Sequence, residues 1–93
     1  MAQLIRKAFC FYGQVQGVGF RYTARHLADR YGLTGWVCNE YDGSVSMELQ
    51  GTPLDISSML HQLEDGHFIR IDHIESKNVP LVDGERRFRV DPY

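Results

Sequence analysis

No apolar run in the sequence approaches the roughly 20 residues a helix needs to span a bilayer, so membrane residence is not expected. Cysteine is scarce: Cys10 and Cys38 stand far apart, without a second pair or a Cys/His cluster, which argues against a disulfide framework and a zinc site. Two reduced, partly buried thiols are expected instead. Positive charge is not in excess, since ten Lys and Arg face twelve Asp and Glu for a formal charge of -2; nucleic-acid binding is not expected, and any anion site must be local. His26, His61, His67 and His73 form no helical pair, so neither a metal nor another cofactor is implied. The first residues place Arg6 and Lys7 after a very short apolar stretch, the wrong order for a secretory signal, and the expected compartment is the cytoplasm. Repeats, low-complexity runs and linkers are missing too. Two cores in 93 residues would each be too small to hold together, so 1–93 reads as a single domain, with a monomer as the default.

What is present is a regular alternation of strand and helix patterns. Residues 4–12 read as an interior strand, with Ile5, Phe9 and Phe11 on one parity and Leu4, Ala8 and Cys10 on the other. After a glycine-rich loop, Phe20, Ala24, Leu27, Ala28 and Tyr31 recur as the apolar stripe of a helix that Gly32 ends. Residues 34–39 form a second strand around Trp36 and Val37, and Asp42-Gly43 turns into a third at 44–50, where Val45, Met47 and Leu49 alternate with Ser44, Ser46 and Glu48. Thr52 as N-cap and Pro53 at the first position open a second helix, with Ile56, Met59, Leu60 and Leu63 as its stripe up to Gly66. A strand at 68–76 and a short one at 87–90 complete the chain. This order predicts an α+β class, ferredoxin-like α/β sandwich (βαββαβ): an antiparallel sheet of four strands plus a short fifth, with two helices on one face. A helical crossover makes the first two strands parallel, with the third slotted between them. The glycine loop and Asn39 then share one sheet edge, separated by two strand spacings of roughly 9 to 10 Å in all.

That loop, Gly13-Gln14-Val15-Gln16-Gly17-Val18-Gly19-Phe20, runs from strand into helix, where glycines let successive N–H groups point at a common centre. The first helical turn adds unpaired donors and the positive end of the dipole. Arg21 is a poor neighbour for that dipole unless an anion sits in the loop, and its planar fork can hold two phosphate oxygens at once. Two other phosphate motifs are excluded. The loop has no lysine for a P-loop, and Tyr22 stands where a dinucleotide fingerprint needs its third glycine. From the residues alone a plain tight turn with Arg21 reaching into solvent stays open, as does Asn39 as a simple turn-former. The aromatic run Phe9-Cys10-Phe11-Tyr12 is accounted for by core packing, and the hairpin strand lacks the signature of an RNA-recognition domain.

Two spaced blocks, Gly13-x-Val15-Gln16-Gly17-Val18-Gly19-Phe20-Arg21 and Gly32-Leu33-Thr34-Gly35-Trp36-Val37-x-Asn39-x-x-Asp42-Gly43-Ser44-Val45, closely resemble the acylphosphatase family. The resemblance implies an α/β sandwich and hydrolysis of a small acyl phosphate, with inorganic phosphate as product or inhibitor and without metal or nucleotide. It places phosphate binding on the backbone of Val15, Gln16, Gly17, Val18, Gly19 and Phe20 and on Arg21, and orientation of the attacking water on Asn39. Gln14 departs from the arginine or lysine common there in the family, which removes some positive potential at the loop entrance. The tail Phe88-Arg89-Val90-Asp91-Pro92-Tyr93 is one residue longer than the family's usual ending and carries Pro92, which argues against a role for Tyr93 near Arg21. A non-catalytic anion-binding module on the same fold is the competing expectation.

Overall fold

Alternating apolar residues build the strands, and apolar residues at helical spacing build the two helices that cover them. The computed structural model describes residues 3–66 and 68–91. The elements run β1 (Ile5–Gln14), α1 (Phe20–Tyr31), β2 (Thr34–Asn39), β3 (Val45–Gly51), α2 (Pro53–Glu64), β4 (Arg70–Asn78) and β5 (Phe88–Val90). They form one sheet in the order β4-β1-β3-β2-β5. β3 pairs antiparallel with both β1 and β2, and β4 antiparallel with β1, so β1 and β2 are parallel to each other. The four-stranded antiparallel sheet is as the sequence implies; the short fifth strand adds to β2 in parallel, making the whole sheet mixed.

Register decides which side chains meet. Phe9 lies opposite Met47, which lies opposite Val37, and Phe11 opposite Val45, which lies opposite Asn39. The apolar members of these rows are buried beneath Ala24, Leu27 and Ala28 of α1 and Ile56, Met59 and Leu63 of α2. Each large apolar side chain so covered stabilises the fold by about 1.5 to 3 kcal/mol. Asn39 therefore ends β2 on the helix-covered face of the sheet.

The other face carries a polar tie that the sequence pattern does not reveal. Arg6 is only 3% exposed, and its guanidinium donates to Glu48 at 2.7 Å, to Gln50 at 3.1 Å and to Glu85 at 2.7 Å. Burial works against the Glu85 carboxylate, but hydrogen bonds from Arg6 and Thr34 prevail and hold its pKa below the usual range. This tie fastens the chain between β4 and β5 across the back of the sheet. Cys10 and Cys38 both lie opposite Ser46 on β3, two strand spacings apart and out of disulfide reach.

Gly13 belongs to the end of β1 rather than to the loop. The register shifts between Tyr12 and Gly13, and a Cβ at Gly13 would stand 2.3 Å from the Arg70 carbonyl oxygen. Glycine is needed there for close approach of two backbones. The same shift changes the parity of β4, so that both Ile71 and Ile74 pack against the core. Strict alternation over 68–76 does not anticipate this, and Phe68 is left exposed.

Candidate active site

The loop between β1 and α1 is anchored at both ends by apolar side chains. Val15 is 1% exposed, and Phe20 packs on Phe11 with ring centroids 4.9 Å apart. Between them the Gln16 carboxamide donates to the carbonyls of Glu40 at 2.7 Å and Ser44 at 2.8 Å, clamping the loop to the β2–β3 turn. Val18 is half-buried against the core.

Asp42 builds the β2–β3 turn. Its Oδ1 accepts from the Ser44 amide at 2.9 Å and from the Ser44 hydroxyl at 2.6 Å, and these bonds hold its pKa below the usual carboxylate range. Asp42 supplies these side-chain bonds of the turn, while Asn39, three residues earlier, is the last residue of β2.

At the start of α1, Gly19 is the N-cap with φ 82°, and no side chain caps the first turn. Space around Gly19 is open, so glycine is favoured there by backbone conformation alone. The first helical bond at this end runs from the Thr23 amide to the Gly19 carbonyl at 2.9 Å. The amides of Phe20, Arg21 and Tyr22 thus have no acceptor within the helix, and the dipole adds positive potential where they point. No acidic residue lies in that turn.

Arg21 is held by the chain that follows β5. Its Nη1 donates to the Asp91 carbonyl at 3.1 Å, and Asp91 is itself fixed by its amide bonding the Val37 carbonyl at 2.9 Å. This bond uses one of the guanidinium's five donors. Burial pushes the pKa of the nearby Cys38 thiol up, with Glu40 and Asp91 adding to the rise and Arg21 opposing it. Cys38 is therefore kept in the protonated form, which is no nucleophile.

These elements surround a cavity of about 180 Å³ lined by Val15, Gly17, Gly19, Phe20, Arg21, Tyr22 and Asn39. Arg21 and Asn39, which stand on different elements, face the same space. Of the residues expected around a phosphate, Gln16 and Val18 lie outside this lining, and the Gln16 side chain is engaged with the neighbouring turn. Tyr22 is the one lining residue the sequence reading does not assign to the site; its place beside Arg21 in the first turn of α1 is the signal for it. Tyr93 lies outside the described residues. A larger hollow of about 510 Å³, lined by Gly84, Glu85, Arg86, Arg87 and Arg89, has no helix start or glycine loop beside it. Among the described residues no helix is long and apolar enough to cross a membrane.

The acylphosphatase family model matches residues 7–90. An acylphosphatase of Clostridium acetobutylicum is 39% identical over 79 residues, 84% of this chain and 87% of that one. One from Geobacillus kaustophilus is 43% identical over 81 residues, 84% of either chain. The crystal structure of acylphosphatase from Bacillus subtilis superposes with a TM-score of 0.86 at 31% identity, covering 96% of this chain and 99% of that one.

Proposed function

The chain belongs to the acylphosphatase family and is a hydrolase of carboxyl-phosphate anhydrides, and from that premise we propose which of its groups carry the reaction. The phosphoryl group sits in the cavity at the start of α1. The loop amides and the Arg21 fork bind its equatorial oxygens, and Asn39 orients the attacking water. The observation carrying this reading is that Arg21, Asn39 and an uncapped helix start line one small cavity.

The chemistry asks little more of the protein. The leaving group is a carboxylate whose conjugate acid has a pKa of about 4 by analogy with side-chain acids, so no general acid has to protonate it. The water oxygen forms a bond to phosphorus as the bond from phosphorus to the acyl oxygen breaks, and the carboxylate departs with that electron pair. A water proton passes to a phosphate oxygen. Catalysis then rests on positioning and on donors aimed at developing charge. Asn39, with both a donor and an acceptor in its carboxamide, suits the water, and Arg21 suits two oxygens held side by side. Reaction without metal or nucleotide, by a cytoplasmic monomer that does not bind nucleic acid, is part of the same reading. A formal charge of -2 supports the last point.

The test is hydrolysis of acetyl phosphate by the purified protein with a chelator present, beside Arg21→Lys and Asn39→Ala. Loss of the bidentate fork should lower kcat/KM by about 1,000-fold. Asn39→Ala should lower kcat by about 100-fold while inhibition by inorganic phosphate is largely kept. Equal activity in the three proteins would sink the assignment.

A further inference from the structure

We infer that Tyr22 is the residue that selects the acyl part of the substrate, favouring flat aromatic acyl phosphates over acetyl phosphate; the inference rests on the phosphate position proposed above. A cavity of about 180 Å³ lies below the range of roughly 300 to 1,000 Å³ in which small-molecule pockets enclose most of their ligand. With the phosphoryl group and a water inside, any acyl group larger than acetyl has to rest on the rim. Tyr22 is among the residues that line the cavity and is 70% exposed, which puts an aromatic residue at the rim.

An exposed aromatic ring needs no explanation by itself. Tyr41, Leu54 and Phe68 are exposed at 95%, 75% and 78%, and none of them lines the cavity. Tyr22 differs in its place and in its bracing. His26, one helical turn further on, meets its ring edge-on at 4.4 Å and 70°, an i,i+4 contact that favours this placement of the phenol.

Direction points the same way. Displacement at phosphorus is in line, so the leaving oxygen departs opposite the attacking water. In the role proposed above Asn39, the last residue of β2, holds the water at the sheet end of the cavity. Successive residues of α1 turn by about 100°, so with Phe20 buried in the core, Tyr22 projects away from the sheet. The acyl group thus leaves on the side where that ring stands, and a planar acyl group can lie against it.

The experiment compares benzoyl phosphate with acetyl phosphate for the unaltered protein, Tyr22→Ala and Tyr22→Phe. One aromatic contact is worth enough to predict that Tyr22→Ala lowers the benzoyl-to-acetyl ratio of kcat/KM by about 5-fold, through KM for benzoyl phosphate and not through kcat. Tyr22→Phe, which keeps the ring, should keep the ratio. A ratio unmoved by Tyr22→Ala overturns the inference, as does a loss carried by kcat for both substrates alike, which would make Tyr22 a support of the loop. If the unaltered protein hydrolyses neither compound, the phosphate position proposed above has failed and the inference falls with it.

Discussion

The two helices begin in opposite ways. α2 starts at Thr52, whose Oγ1 accepts from the Asp55 amide at 3.2 Å; Pro53 follows, with no N–H to satisfy, and Asp55 adds a negative charge to the turn. α1 starts at Gly19, with no capping side chain, no acid in the first turn, and Arg21 as its second residue. The capping side chain, the proline and the first-turn acid are present in α2 and missing from α1. The second helix thus spends its terminal amides on its own stability. In the reading proposed above the first leaves them to the phosphate, and its uncapped, cationic start is then a local stability cost of the kind tolerated where a site requires it.

The strongest way to break this contrast is to give α1 an acid like that of α2. Gly19→Asp places a carboxylate in the cavity at a position whose backbone region aspartate tolerates better than most residues. At about 5 Å and an effective dielectric near 20, two like charges repel by about 3 kcal/mol, so kcat/KM for acetyl phosphate should fall by roughly 100-fold. Gly19→Asn has nearly the same shape without the charge and should lose no more than about 10-fold, chiefly through backbone strain. Added salt should recover part of the aspartate variant's loss and little of the asparagine variant's. Equal losses in the two variants would mean that shape, and not charge, governs the site.

Much of this contrast is legible in the sequence, because helix starts are local signals. Thr52-Pro53 announces the closed end, and Gly19-Phe20-Arg21 the open one. β2 coincides with its expected bounds, since Gly35, Trp36 and Val37 stand between clear breaks, and crossover topology brings the end of β2 to the glycine loop. What the sequence hides is what distant residues do together. Arg6 reads as a strand-end cation, yet its partners Glu48 and Glu85 lie 42 and 79 positions away. Gln16 sits within a binding motif, and only the folded turn shows its side chain bonded to Glu40 and Ser44. β4 is misread in phase because the bulge facing Gly13 shifts its parity, and a single extra residue leaves no compositional trace.

The smallest expected effect tests the other half of the contrast. Thr52→Ala removes the acceptor for the Asp55 amide and should cost about 1 kcal/mol of stability. For a domain of this size that lowers Tm by about 4 to 8 °C, read by thermal unfolding. Thr52 lies outside the cavity lining, so kcat/KM measured well below the transition should be unchanged. The pairing of results is what counts: a charge at the start of α1 should move activity, and a lost cap at the start of α2 should move stability. If Thr52→Ala were instead to reduce turnover at unchanged Tm, the two helix ends would not be doing separate jobs, and the open end of α1 could no longer be explained as backbone held back from folding for use on phosphate.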